Sequence, residues 1–238
     1  MKWILLILLC FLVGCATQPH RSTETPISGI WVQPDAAWQK AARNGITLQD
    51  GNKSVVTTLT PMTVAALVRT WEKVKTASGV DAQLGVAKTS SPNAFAAPIG
   101  GRPTVIIGMS LMDALANDAD ALAATLGHEL AHLHYRHPEA SKVRRDGAAG
   151  ASQFFGLLLS IAGVPGGANI ASIGVNAIAN AYSRDQEREA DIKGLDWAIA
   201  AGFDACGSAR TMRALQRWSG GKEALPFFSS HPGHEERI

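Results

Sequence analysis

Cysteine is almost missing from the part of this chain that can fold. Of its three cysteines, Cys10 and Cys15 lie within the first fifteen residues and Cys206 stands alone. A single thiol makes no internal disulfide and no thiolate cluster, even in an oxidising compartment. Charge is also sparse: 18% of residues are charged, and the formal net charge is +2. With no basic run in the sequence, the electrostatic footprint of a nucleic-acid partner is absent, and none is expected. Long apolar runs are lacking too. The longest, Trp3 to Val13, has eleven residues, short of the roughly 20 that cross a bilayer. What remains is 238 residues with 46% hydrophobic side chains, enough for one domain with a sizeable core.

The first fifteen residues, "MKWILLILLCFLVGC", have the layout of a targeting segment: one basic residue, an apolar run, then small residues. The ending "LVGC" resembles a bacterial lipobox. That resemblance implies cleavage before Cys15 and acylation of Cys15. Several acyl chains suffice for stable anchoring, since each buried methylene contributes about 0.8 kcal/mol. Ala16, where an Asp would direct inner-membrane retention, implies the periplasmic face of the outer membrane. Residues 1–14 are thus expected to be a signal peptide and 15–28 the lipidated Cys and its tether. The folded domain is expected over 29–238.

Within that domain, "TPMTVAALVRTWEKVKTASG" reads as a helix capped by Thr60, with Pro61 in its first turn and Gly79 at its stop. Val64, Leu67, Val68, Trp71 and Val74 form its apolar stripe. The segments "DAQLGVAK", "NAFAAPIGG" and "PTVIIG" read as strands of a small sheet. "SLMDALAN" reads as a short helix, and "DADALAATLGHELAHLHYRH" as a longer one running from Asp118 to Pro138. Residues 147–183 carry no charge. Their weak hydrophobicity favours buried, closely packed helices over a hairpin dipping into the membrane. A further helix begins at Ser183, in capping-box spacing with Gln186, and ends near Gly202. A last helix covers about 204 to 218. The elements make an α+β domain, mainly helical.

The chemistry concentrates in "GHELAHLHYRH". His128 and His132 are four residues apart on a predicted helix, so both imidazoles leave one face and can share a tetrahedral ion. Glu129, beside the first of them, can act on a water near that ion. A catalytic zinc needs a third protein ligand. His134 points to another face, and His137 lies too far round and along a continuing helix. Both read as surface residues or as supports behind the ligands. The longer HExxHxxGxxH pattern fails, because Tyr135 and Pro138 stand where Gly and His belong. In "EREAD", Glu187 and Asp191 share a helical face whereas Glu189 points away. Glu187 can complete a His-His-Glu set, and Asp191 can accept a hydrogen bond from the outer nitrogen of a ligand histidine.

Taken together, "SPNAFAAPIGG", "VIIGMSLMDAL", "ALAATLGHELAHLHYRH", "SRDQEREADIKGLD" and "SSHPGHEERI" resemble the HtpX-like zinc metallopeptidases in their periplasmic lipoprotein branch. This is peptidase family forty-eight of the metallo class. The resemblance runs from about residue 60 to the end. It implies a zincin-like (gluzincin) fold with the sheet beside the active-site helix. It also implies one Zn2+ per chain on His128, His132 and Glu187, with Glu129 as base and Asp191 behind a ligand. "NAFA" resembles an edge strand that holds an extended peptide, with Asn93 orienting it. His231 matches a family histidine near the metal. It would stabilise an oxyanion or take the fourth ligand position and keep the enzyme latent. Arg237 fits the tail motif.

The expected function is a membrane-anchored periplasmic zinc endopeptidase acting on misfolded or misassembled envelope proteins. The alternative is a chaperone-like or assembly-factor lipoprotein with a structural or latent zinc site. A base retained at Glu129 favours catalysis.

Overall fold

The computed structural model describes residues 30–49, 54–89, 91–99, 101–115, 118–138, 182–220 and 231. The signal segment, Cys15, the tether, most of the uncharged stretch and Arg237 lie outside these residues. Twelve described elements follow one another along the chain. They are β1 (Ile30–Val32), α1 (Asp35–Asn44), β2 (Ile46–Gln49), β3 (Val55–Leu59), α2 (Pro61–Ser78), β4 (Gln83–Ala87), β5 (Ala94–Ile99), β6 (Arg102–Gly108), α3 (Met109–Ala114), α4 (Ala119–His134), α5 (Arg184–Ala200) and α6 (Gly207–Ser219). The mixture is the expected α+β one, with helices dominant.

One sheet has the strand order β1-β4-β6-β5, and β2 pairs with β3 in a separate hairpin. β4 runs parallel to β6, while β1 and β5 are antiparallel to their neighbours. Every residue of β4 is buried, as expected of an interior strand that pairs on both sides. β5 lies at the sheet edge, and Pro98 within it is tolerated there because an edge position needs no donor on its outer side.

The strands and helices expected between 60 and 115 form where the sequence indicates. Thr60 caps α2 by accepting from the Thr63 N–H, Pro61 opens it, and Gly79 closes it in the left-handed conformation. Its stripe of Val64, Leu67, Val68, Trp71 and Val74 is buried. Asp118 caps α4 by accepting from the N–H groups of Asp120 and Ala121.

α4 is the organising element. Residues Ala121 to His132 are all buried, because the helix packs against α5, α6, α2 and the strands β5 and β6. A helix enclosed on all sides is free of the usual polar face, which explains its run of Ala, Leu and Gly. Arg210 on α6 reaches Asp118, Asp120 and Asp204, tying α6 to the start of α4.

α4 meets α5 through two glycines. A Cβ added to Gly194 would lie 2.4 Å from the His128 backbone nitrogen, and one added to Gly127 would lie 2.4 Å from the Gly194 carbonyl oxygen. Both distances are below van der Waals contact, so the helices approach this closely only because neither position has a side chain.

α5 begins with both halves of a capping box: Ser183 accepts from the Gln186 N–H, and the Gln186 side chain accepts from the Ser183 N–H. Ser183→Ala is expected to cost about 1 kcal/mol of unfolding free energy. It would be read as a lower urea midpoint at unchanged slope.

Three expectations change. α4 stops at His134 rather than at Pro138, because Arg136 turns the chain through a positive φ of 55°. The last helix starts at Gly207, three residues later than expected, since Asp204 instead accepts from the Cys206 N–H in a turn. Residues 30–59 hold four elements where the sequence pattern marked none. They are anchored by the indoles of Trp31, donating to the Gln49 carbonyl at 2.7 Å, and Trp38, donating to the Leu84 carbonyl at 3.0 Å. Among the described residues no helix is long and apolar enough to cross a membrane.

Candidate active site

The one-turn spacing of His128 and His132 on α4 brings their Nε2 atoms to 2.9 Å from one another. Glu187 enters from the first turn of α5, with Oε2 3.5 Å from His128 Nε2 and Oε1 3.4 Å from His132 Nε2. It can do so because it stands seven residues, two turns, before Gly194 and therefore on the face that the glycine crossing presses against α4. His231 closes the group: its Nδ1 lies 3.2 Å from both His128 Nε2 and Glu187 Oε1. One ligand atom from each of the four residues lies within 4.8 Å of the others, and all four residues are buried. The donors come from widely separated places, Glu187 following His132 by 55 residues and His231 following Glu187 by 44.

These distances suit a zinc ion. Arms of about 2.0 to 2.2 Å in tetrahedral array put neighbouring donor atoms roughly 3.3 to 3.6 Å apart, and most of the observed separations are close to that. The protonation states suit it as well. Burial pushes the His132 imidazole well below its ordinary pKa, although Glu187 pulls the other way. Burial by itself would raise Glu187, but His231, His132 and His128 together hold its carboxyl well below the usual range. A neutral imidazole and a carboxylate both present lone pairs, which is the form that binds a metal.

Both rings on α4 are braced from behind. His128 Nδ1 donates to Asp191 Oδ1 at 2.9 Å, one helical turn along α5 from Glu187. That bond leaves the His128 Nε2 lone pair facing the cluster. His132 stacks on Tyr182, with ring centroids 3.9 Å apart and planes at 17°. Its Nδ1 is 2.9 Å from Nδ1 of His137, whose Nε2 is 3.2 Å from Glu189 Oε2. Burial holds His137 below the ordinary histidine value, with Glu189 opposing.

Glu129 is fully buried, and its Oε1 lies 3.4 Å from His231 Nε2. The same His231 nitrogen lies 3.3 Å from the carbonyl oxygen of Ala94, so β5 borders the site. Asn93 is also fully buried, at the start of that strand, and its carbonyl accepts from the Gly108 N–H.

The structure therefore gathers His128, His132, Glu187 and His231 around one point, with Glu129 and Asp191 in contact with members of the group. His134 is exposed and packs edge-on against Trp197. His137 was placed too far along a helix that was expected to continue. Because the helix ends early, it folds back against His132 instead. Glu189 does point away from the four donors, but toward His137. Tyr182 was not singled out in the sequence, and nothing in its local pattern marks it. Its place beside His132 is a product of tertiary packing.

Relatives point the same way. The chain is 33% identical over 159 residues to the mitochondrial metalloendopeptidase OMA1 of Schizosaccharomyces pombe, covering 66% of this chain and 44% of that protein. It is 29% identical over 160 residues to the metalloprotease YcaL of Escherichia coli, covering 67% and 61% respectively. A candidate beta-barrel assembly-enhancing protease of Vibrio cholerae is 32% identical over 155 residues, covering 61% of this chain and 31% of that protein. The chain thus matches less than two thirds of the length of each. The pattern described as Peptidase family M48 matches residues 61–238, a span that contains α4, α5, β5 and all four donor residues. By that match and by the metal-binding group it encloses, the chain belongs to peptidase family M48, a family of zinc metallopeptidases.

Proposed function

We propose that this chain is a zinc endopeptidase, anchored through lipid on Cys15 to the periplasmic face of the outer membrane. Its substrates in this reading are misfolded or misassembled envelope proteins. The observation that carries the catalytic part is the convergence of three imidazoles and a carboxylate with a second buried carboxylate, Glu129, beside them. The lipobox-like "LVGC" supports the anchor, and the beta-barrel assembly for which the Vibrio cholerae relative is named supports the substrate class.

In this reading His128, His132 and Glu187 hold one zinc per chain. A zinc ion there would supply Lewis-acid polarisation of the scissile carbonyl and bring the pKa of a water down to about 7. Glu129 takes the attacking water's proton and passes it to the leaving amine, a task suited to a carboxylate fixed by burial. Asp191 holds the His128 ring in the tautomer that ligates. An extended substrate pairs with the outer edge of β5 through main-chain hydrogen bonds, with Asn93 setting its register. His231, between Glu129 and Ala94, donates to the developing oxyanion.

A second reading has one observation in its favour. His231 is fully buried and stands among the donors, so it can close the ligand set and leave no position for substrate. The chain would then be a latent peptidase or a binding factor with a structural zinc.

One experiment separates the readings. Purified chain loaded with one equivalent of zinc is incubated with an unfolded polypeptide such as casein, and a chelator is then added, followed by fresh zinc. Cleavage that is lost and regained supports the endopeptidase. Zinc binding without cleavage by either the unmodified chain or a His231→Ala variant refutes it in favour of the binding factor. A His231→Ala variant is run alongside. Slower cleavage supports the oxyanion role, and faster cleavage supports latency.

A further inference from the structure

The two histidines of the HExxH helix are braced by unlike devices. His128 leans directly on a carboxylate, Asp191. Among the described residues the outer nitrogen of His132 meets the imidazole of His137 rather than a carboxylate, and His137 meets Glu189. The backbone makes this possible at a cost. α4 ends at His134, and Arg136 takes a φ of 55°, a left-handed conformation that a residue with a side chain adopts only at an energetic cost. The result is that His137 doubles back, becoming 3% exposed, with its ring stacked on Tyr135 at a centroid distance of 5.5 Å.

The proton positions along this chain follow from its outer end. Glu189 is an acceptor when ionised, so His137 donates to it from Nε2. That leaves His137 Nδ1 bare, able only to accept. His132 must therefore carry its proton on Nδ1 and donate inward to His137. Its Nε2 lone pair then faces His128 Nε2 and Glu187. Each link is fixed by the one outside it, and the tautomer of the inner ring is set by a carboxylate two residues removed from the metal group.

We propose that His137, backed by Glu189, is a positioning residue that fixes the orientation and tautomer of His132 for metal binding. This rests on the zinc reading above. Partners of this kind behind a ligand histidine typically carry a 10- to 100-fold share of metal affinity.

Two replacements oppose a positioning role to a packing role. Phe keeps a ring against Tyr135 but has no acceptor. Asn loses the ring but can present a carbonyl oxygen near the position of Nδ1. Zinc affinity is measured for the full chain and both variants by competition with a chelator, and the unfolding midpoint of each metal-free protein is recorded. His137→Phe is expected to lose about 10- to 100-fold in zinc affinity with little change in the metal-free midpoint. His137→Asn is expected to stay within about threefold of the unmodified chain, even if its midpoint falls. The reverse order, an equal loss in both, or a Phe variant that binds zinc normally overturns the proposal. Failure of the unmodified chain to bind zinc overturns the zinc reading itself, which keeps the two failures apart. A second signal is read on the zinc-loaded chain: in 15N spectra His137 should carry its proton on Nε2, and a His137 proton found on Nδ1 refutes the relay directly.

Discussion

Replacing Glu129 with Gln is expected to lower peptide hydrolysis by about 100- to 10,000-fold while zinc remains bound with little change. The substitution preserves the shape of a fully buried side chain and removes its capacity to take a proton. The metal group is left intact, since none of the four converging donors belongs to residue 129. Measuring zinc content and cleavage of an unfolded polypeptide on the same preparation separates the two effects. Full turnover by the variant would remove Glu129 from the mechanism. Loss of zinc together with activity would instead mean that the buried carboxylate holds the metal group in place.

The second large effect is expected far from any proton transfer, at Gly194. A methyl group there would lie 2.4 to 2.7 Å from three backbone atoms of Gly127 and His128. No side chain can swing away to make room, so α4 and α5 must separate. Overpacking commonly costs 1 to 3 kcal/mol; with backbone on both sides, Gly194→Ala should reach at least about 3 kcal/mol. Separation also carries Glu187 away from His128 and His132, so zinc affinity should fall at least tenfold. Ile192→Ala, on the exposed face of the same helix, should change stability by no more than about 0.5 kcal/mol and leave zinc binding alone. A Gly194→Ala chain that binds zinc like the original would show that the crossing does not set the ligand geometry.

The helices around this site were legible because their ends are written in side chains. Thr60 with Pro61, Asp118, and Ser183 with Gln186 each satisfy exposed N–H groups at a helix start, and such chemistry is local. The pairing of Glu187 with the HExxH helix was legible for a similar reason, since two carboxylates four residues apart fall on one face. What was not legible depends on distant partners. Nothing near Arg136 signals a left-handed turn, as no glycine or asparagine stands there, so the helix was expected to continue; of the two roles read for His137, surface residue or support behind the ligands, the turn selects the second. The short β1, β2 and β3 hold three to five residues each, too few for an alternation to stand out. They are fixed instead by long-range indole hydrogen bonds from Trp31 and Trp38. The parallel pairing of β4 with β6 likewise arises only when β5 takes the outer edge.

The distance along the chain between the donor residues bears on how the protein is made. During synthesis the complete HExxH motif is present 55 residues before Glu187 emerges. At about 5 to 20 residues per second, that interval lasts roughly 3 to 11 seconds. Throughout it a nascent chain displays the two histidines and the base without the third ligand of the proposed site. Competence to assemble the proposed metal group therefore waits for α5, and a ribosome that stalls before α5 releases a fragment bearing the motif without Glu187.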